Sequence, residues 1–359
     1  PMGWNSWNKF DCDVSEDLIK EIADAMVSSG MKDAGYEYIV IDDCWQVGRD
    51  ENGNIIPDPE RFPSGMKALG DYIHSKGLKF GIYSCGGRLT CQKRPGSRGY
   101  EFQDARAYAS WGVDYLKYDW CNSGNQNAEA SYTLMRDALY AAGRPVVFSI
   151  CEWGNTEPWK WADKVGHLWR TTSDIQDCWD CEYNWGGMGW IHILDKQVGL
   201  SEYAGPDHWN DPDMLEVGND NLTVNESRAH FSLWCMLAAP LMAGNDLRNM
   251  EKETIDILTN KNVIAINQDK LGRQAFKAKE WNGIEMWVKP LSNNDFAVCF
   301  FNRNNHPVSL AYEWGKTFMV DMVNDWEELP FDEKFTLIDV WKDKEIGTTL
   351  ETLNKEIPG

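Results

Sequence analysis

The feature that most constrains this chain is a regular alternation of apolar strand-like runs with amphipathic helix-like runs. It begins with a helix predicted over 15–32 and a strand over 36–41, and roughly eight such units fit into about 265 residues. Strands that alternate with helices form parallel β/α units, and a set of eight is typical of a closed barrel. We therefore expect an α/β fold, a (β/α)8 TIM barrel, at residues 1–272.

The later part of the chain continues and then changes this pattern. Further helices are expected at 64–75, 101–111 and 127–142, before His167, and at 226–239, with strands at 78–83, at the start of 113–121, and at 146–150, 167–170 and 208–211. After the barrel, strand-like runs follow without helices between them, at 284–288, 296–301, 308–312 and 318–323. This predicts a C-terminal antiparallel β-sandwich domain at 273–359.

Several predicted strands end in charged or aromatic residues. The stretch 113–121 starts as a buried strand and ends with Lys117 and Asp119, which alone would indicate a structural ion pair at a strand end. The same pattern recurs at other strand ends, and in a barrel these ends meet on the face that carries active sites. The candidates for this face are Trp4, Asp42, Asp43, Tyr83, Lys117, Asp119, Glu152, Trp153, Arg170, Asp174 and Asp211.

Several carboxylates with cations and aromatic walls are suited to glycoside hydrolysis, which needs an ionised carboxylate and a protonated carboxyl group. Lys117 lies two positions before Asp119 and therefore on the same strand face, so we expect the two to pair and the pKa of Asp119 to be lowered. Asp174 is expected to lie buried among other carboxylates, where a carboxyl group stays protonated. Asp42 and Asp43 can bind sugar hydroxyls, and Trp4 offers an apolar face.

Composition narrows the classes of partner and location. The formal net charge of −21 argues against nucleic acid, whose phosphates require a basic surface, and is compatible with a neutral sugar. No apolar run approaches the roughly 20 residues of a membrane helix, so no membrane association is expected. We expect a secreted, periplasmic or lysosome-like location, with no signal peptide visible.

The ten cysteines permit several bridges. We prefer the pairs Cys12–Cys44 and Cys91–Cys121, because each joins a cysteine at a predicted strand end to one in a loop that can reach the same face. Cys178 and Cys181 form either a local bridge or two free thiols.

Six motifs resemble those of the α-galactosidases of glycoside hydrolase family 27, in the family's order. They lie at 3–7, 41–45, 117–121, 151–154, 169–175 and 209–214. The resemblance implies a retaining exo-glycosidase that removes terminal α-linked galactose, with Asp119 as nucleophile and Asp174 as acid/base. It also implies a galactose subsite lined by Trp4, Asp42, Asp43, Tyr83, Lys117, Glu152, Trp153 and Arg170. Cys85 departs from the pattern, since many relatives carry an acidic residue there.

Alternatives remain within and outside this family. Glu152 favours an unsubstituted 2-hydroxyl over the N-acetylgalactosamine of the α-N-acetylgalactosaminidases, and the pair Asp42 and Asp43 favours galactose over the substrate of the β-L-arabinopyranosidases. A non-catalytic sugar-binding protein is a different class. A metal-dependent hydrolase would rest on 207–213, where too few histidines are present, so we expect neither metal nor cofactor. The sequence leaves the oligomeric state open.

Overall fold

The computed structural model describes residues 1–315, 317–321 and 326–359. The strands of the first domain are β1 (Met2–Asn5), β2 (Tyr38–Ile41), β3 (Gln46–Arg49), β4 (Ile55–Pro57), β5 (Lys79–Cys85), β6 (Tyr115–Asp119), β7 (Val147–Cys151), β8 (Leu168–Arg170), β9 (Trp209–Asp211) and β10 (Leu241–Ala243). Strands β3 and β4 form an antiparallel hairpin beside the barrel. The other eight strands form one parallel sheet in the order β10-β1-β2-β5-β6-β7-β8-β9.

The sheet closes just beyond β9. Leu215 forms a parallel bridge to Ala243 of β10, in which the Leu215 amide donates to Met242 at 2.8 Å. The predicted TIM barrel is therefore confirmed, and the C-terminal ends of all eight strands point to the same face.

The helices are α1 (Trp7–Phe10), α2 (Glu16–Ser28), α3 (Met31–Ala34), α4 (Gly65–Ser75), α5 (Glu101–Trp111), α6 (Ala128–Ala142), α7 (Trp190–Asp195), α8 (Val224–Met236), α9 (Lys252–Leu258) and α10 (Lys261–Asn267). Helix α2 shows why these segments are helical. The Ser15 side chain caps the helix by accepting from the Leu18 amide, and Ile19, Ile22 and Met26 bury one face in the core.

The helix predicted before His167 is absent. Two 3-10 turns occupy this connection, at Pro158–Lys160 and Ala162–Lys164. Trp161 between them has φ −138°, outside the helical region. The backbone therefore cannot continue as one helix through this segment.

The C-terminal domain consists of β11 (Phe276–Trp281), β12 (Ile284–Pro290), β13 (Phe296–Asn302), β14 (Val308–Tyr312), β15 (Thr317–Asp321), β16 (Trp326–Leu329), β17 (Thr336–Asp339), β18 (Lys344–Thr348) and β19 (Leu353–Ile357). All of the strand pairs described here are antiparallel, as predicted. The strand expected at 318–323 corresponds to β15, and its positions 322 and 323 lie outside the described residues.

The second domain packs directly on the barrel. Trp287 and Phe301 belong to the same buried cluster as the barrel residues, and the Trp341 indole donates to Ser232 of α8 at 3.1 Å. Helix α10 ends at Asn267 and β11 begins at Phe276. The domain boundary that we propose, between 272 and 273, lies in this connection.

Three disulfides cross-link the barrel. The predicted pairs Cys12–Cys44 and Cys91–Cys121 are confirmed, with Cα–Cα distances of 5.2 and 5.1 Å. The open choice for Cys178 and Cys181 is resolved as a local bridge. None of the helices in the described parts of the chain is long and apolar enough to span a membrane.

The Cys12–Cys44 bridge joins residues 32 apart, whereas Cys178–Cys181 joins residues 3 apart. Because a longer closed loop restricts the unfolded chain more, replacing Cys12 and Cys44 by alanine is expected to lower the free energy of unfolding by about 3–4 kcal/mol. Replacing Cys178 and Cys181 by alanine is the matched control and should cost about 1–2 kcal/mol. Equilibrium denaturation in urea measures both, and equal losses would contradict the chain-entropy account.

Candidate active site

The predicted strand-end residues gather at the C-terminal face of the barrel. Two contacts connect different strands: Lys117 of β6 reaches Asp42 after β2, and Tyr83 of β5 reaches Asp119 of β6. A third is local, since Arg170 at the end of β8 reaches Asp174 in the loop that follows. The parallel barrel explains this convergence, because the chain delivers each of these side chains at the end of a strand.

Asp119 is a buried carboxylate that two hydrogen bonds hold in place. Its side chain is buried, and Oδ2 accepts a hydrogen bond from the Tyr83 hydroxyl at 2.9 Å while Oδ1 accepts from the Trp120 amide at 2.7 Å. Burial raises the pKa of Asp119 to about 7, against the opposing charge of Lys117. The carboxylate is therefore fixed in orientation and poorly solvated, which favours reaction with an electrophile.

The ion pair of Lys117 differs from the predicted one. Its Nζ pairs with Asp42 Oδ2 at 2.8 Å and does not make the expected ion pair with Asp119. The side chain crosses the Tyr83 ring, with Nζ 5.6 Å from the ring centroid, and reaches past β5 to β2. The expected lowering of the Asp119 pKa is also wrong, because desolvation outweighs the more distant charge of Lys117.

The two acidic residues after β2 are held differently. Asp42 accepts from the Asn5 side chain at 2.8 Å in addition to Lys117. Asp43 accepts from the backbone amides of Cys44, at 2.7 Å, and Gln92, at 3.0 Å. Burial raises the pKa of Asp43. Because Gln92 adjoins the Cys91–Cys121 bridge, that disulfide helps to place the loop that holds Asp43.

The burial of Asp174 also differs from the prediction. Its side chain is 38% exposed and pairs with Arg170 Nη2 at 3.0 Å, so it is not buried among carboxylates. The same Nη2 atom lies 2.9 Å from Asp213 Oδ2. The gathered strand-end residues form the candidate pocket, and Asp174 lies at its partly exposed rim. The guanidinium beside it is also paired with a second, buried carboxylate.

Asp213 is a functional candidate that the sequence reasoning missed. Besides pairing with Arg170, its Oδ2 accepts from the amide of Ile175, the residue after Asp174, at 2.8 Å. Asp213 lies beyond the end of β9 and has φ +78°, so a search limited to strand ends stops at Asp211. Its side chain fixes both the partner and the backbone of Asp174.

The remaining predicted residues occupy the walls. Trp4 and Glu152 have no exposed surface: the Trp4 indole donates to the Asn245 carbonyl at 2.7 Å, and Glu152 Oε2 accepts from the Thr156 amide at 2.8 Å. The apolar face expected from Trp4 is thus not open to solvent. Burial raises the pKa of Glu152 to about 7. Trp153 is partly exposed, and Asp211 lines a small cavity together with Lys117 and Arg170.

We compared the His, Cys, Asp and Glu side chains of the described residues with the spacing that a metal ion needs. Among the described residues, the one group of three potential ligands is Cys91, Asp119 and Cys121, and its two sulfurs are bonded to each other. The stretch 207–213 does not form such a group within the described parts of the chain. Cys85 is a free buried thiol that donates to the Cys121 carbonyl at 3.1 Å, so it supports the loop after β6.

A parallel barrel with a buried carboxylate and a second, partly exposed carboxylate at the same face is typical of the barrel glycoside hydrolases. The chain belongs to the α-galactosidases of glycoside hydrolase family 27. The family profile described as alpha galactosidase A matches residues 1–269, and that of the alpha galactosidase C-terminal beta sandwich domain matches 282–358.

Individual relatives support this assignment over the whole chain. The chain is 56% identical to alpha-galactosidase A of Cellvibrio japonicus, with 99% of this chain and 89% of that protein covered. Alpha-galactosidase I of Mortierella vinacea has a similar structure, with 37% identity, a TM-score of 0.91 and coverage of 99% and 94%. The Saccharomyces cerevisiae alpha-galactosidase solved with raffinose gives 31% identity, a TM-score of 0.91 and the same coverage.

The raised pKa of Asp119 predicts how stability depends on pH. The folded state holds this proton up to about pH 7, whereas the unfolded chain releases it near pH 4, so this group destabilises the fold as pH rises between these values. Asp119→Asn removes the buried charge and is expected to raise the Tm by about 4 °C near pH 8 and to change it little near pH 4.

Thermal unfolding followed by circular dichroism at both pH values measures this effect. Asp71→Asn is the matched control, because Asp71 is an exposed helix residue that pairs with Lys67 and should leave the Tm within about 1 °C. A Tm that falls in Asp119→Asn near pH 8 would contradict the desolvation argument.

Proposed function

We propose that this protein is a retaining, exo-acting α-galactosidase that hydrolyses terminal α-linked galactose from oligosaccharides or glycoconjugates. The observation that carries the proposal is the contrast between Asp119, buried and held by Tyr83 and Trp120, and Asp174, exposed at the rim. Retaining glycosidases need two carboxyl groups with different roles. The proposal takes Asp119 as nucleophile and Asp174 as acid/base.

In the first step, Asp119 attacks the anomeric carbon and forms a covalent galactosyl-Asp119 intermediate. The bond to the leaving oxygen breaks, and Asp174 gives that oxygen its proton. In the second step, Asp174 accepts a proton from water, whose oxygen attacks the anomeric carbon and releases Asp119 as a carboxylate. Asp213 supports both steps, since it pairs with Arg170 and accepts from the Ile175 amide, and so holds the surroundings of Asp174 in place.

The galactose subsite is assigned to the predicted wall residues. Asp42 and Asp43 present acceptors for vicinal hydroxyls, and Lys117 is a donor that Asp42 orients. The other members of the set are Trp4, Tyr83, Glu152, Trp153 and Arg170. Trp4 and Glu152 are fully buried, so they support the wall from behind and would reach the sugar only after a side-chain movement.

Galactose is favoured over the related substrates. By the family resemblance, members specific for N-acetylgalactosamine carry small residues near the position of Glu152, so a glutamate there favours an unsubstituted 2-hydroxyl. The pair Asp42 and Asp43 favours a galactoside over a β-L-arabinopyranoside. The three disulfides support a secreted, periplasmic or lysosome-like compartment, because such bonds persist in oxidising environments.

The test is hydrolysis of a chromogenic α-galactoside together with the stereochemistry of the product. Proton NMR should show the α-anomer of galactose first, because two displacements retain configuration. Asp119→Asn should lower kcat by about a thousandfold or more. Full activity in Asp119→Asn would remove the nucleophile assignment, and a β-anomer formed first would exclude the retaining mechanism. An inert wild-type protein that still binds galactose would favour the non-catalytic alternative.

Asp174→Ala tests the acid role through the leaving group. A nitrophenolate needs little protonation, so kcat/KM on a nitrophenyl α-galactoside should fall far less than on an α-galactosyl oligosaccharide, where the loss should be about 10²–10⁴-fold. Asp180→Ala is the matched control, since this exposed residue of the same loop pairs with His192. Equal losses on both substrates would argue against Asp174 as the acid.

A further inference from the structure

The loop between Asp174 and α7 exposes two large aromatic side chains. Tyr183 is 50% exposed and Trp185 is 62% exposed. Their rings stack, with centroids 5.8 Å apart and an interplanar angle of 26°. Exposing this much aromatic surface is unfavourable in water, and the galactose subsite does not use either residue.

A disulfide and backbone hydrogen bonds hold the loop that carries Tyr183 and Trp185. The Cys178–Cys181 disulfide braces its first half, and a turn closes its tip, where the Tyr183 amide donates to the Gly187 carbonyl at 2.8 Å. The returning chain bonds to the site itself, because the Met188 amide donates to the Asp174 carbonyl at 3.0 Å. The aromatic pair therefore has a defined position relative to Asp174.

The tip of the loop also touches the residue that precedes Asp174. A Cβ atom on Gly186 would lie 3.1 Å from Ser173 Oγ, which places Gly186 against Ser173. Trp185 adjoins this contact in the chain. The tip of the loop, which carries the exposed rings, therefore lies beside the residue that precedes Asp174.

The proposed chemistry indicates on which side of the pocket the leaving group lies. In the proposed function, on which this inference rests, Asp174 protonates the leaving oxygen, so the part of the substrate beyond the cleaved bond lies on the side of Asp174. Pyranose rings present apolar C–H faces that pack on aromatic rings. Asp180 and Glu182 in the same loop disfavour an anionic group there.

We propose that Tyr183 and Trp185 form a leaving-group subsite that stacks on a neutral sugar ring, which makes the enzyme selective for α-galactosyl oligosaccharides. Because the disulfide and the backbone hydrogen bonds already order the loop, little conformational entropy is lost when the sugar binds. The galactose ring itself is held by the strand-end residues and does not need the pair.

The test compares two substrates that differ only beyond the cleaved bond. Melibiose places a glucose ring there and methyl α-galactoside places a methyl group. In Trp185→Ala, kcat/KM on melibiose is expected to fall about 10-fold, mostly through KM, while that on methyl α-galactoside stays within about twofold. Trp185→Phe keeps an aromatic face and should recover most of the loss.

Tyr140→Ala is the matched control, because Tyr140 is 86% exposed near the end of α6, away from the pocket face, and should change neither substrate. Equal losses on both substrates in Trp185→Ala, with the Tm unchanged, would show a general effect on the Asp174 loop and overturn the subsite. No loss on either substrate would also overturn it. A wild-type protein that cleaves neither substrate would instead overturn the proposed function and the subsite together.

Discussion

The ion pair between Lys117 and Asp42 is the interaction on which the rest of the site depends. Both groups are largely removed from water, and a buried charge without its partner is strongly destabilising. The pair spans from β6 to β2 and crosses Tyr83 of β5, whose hydroxyl in turn binds Asp119. This contact thus links β6 to the end of β2 across Tyr83, at the end of the barrel where the carboxylates meet, and the Tyr83 hydroxyl and the Trp120 amide orient Asp119.

The two carboxyl groups of the proposed mechanism differ because their surroundings differ. Asp119 is held by neutral donors in a buried position, and its raised pKa reflects desolvation. Asp174 is exposed and shares Arg170 with the buried Asp213. The site therefore separates a fixed group deep in the barrel from a group on a loop at the rim, and the same loop carries the stacked Tyr183 and Trp185.

Much of the barrel was predictable because hydrophobic periodicity is local information. Helix α2 and strand β6 were recognised from apolar spacing and from Ser15 as a cap. The prediction of a helix before His167 was wrong, because the backbone at Trp161 lies outside the helical φ/ψ region. Strands β11 and β16 to β19 were not predicted, since the polar and charged residues in their sequences give a weak strand signal.

The sequence by itself determined the fold class, two of the cysteine pairs and the set of charged residues at strand ends, because each depends on residue type and spacing. Only the tertiary structure decided which charges pair. Lys117 pairs with Asp42 and not with Asp119 on its own strand. Arg170 pairs with both Asp174 and Asp213. Adjacent barrel strands bring distant residues within a few ångströms, so partners follow from strand order and side-chain direction, which no local pattern contains.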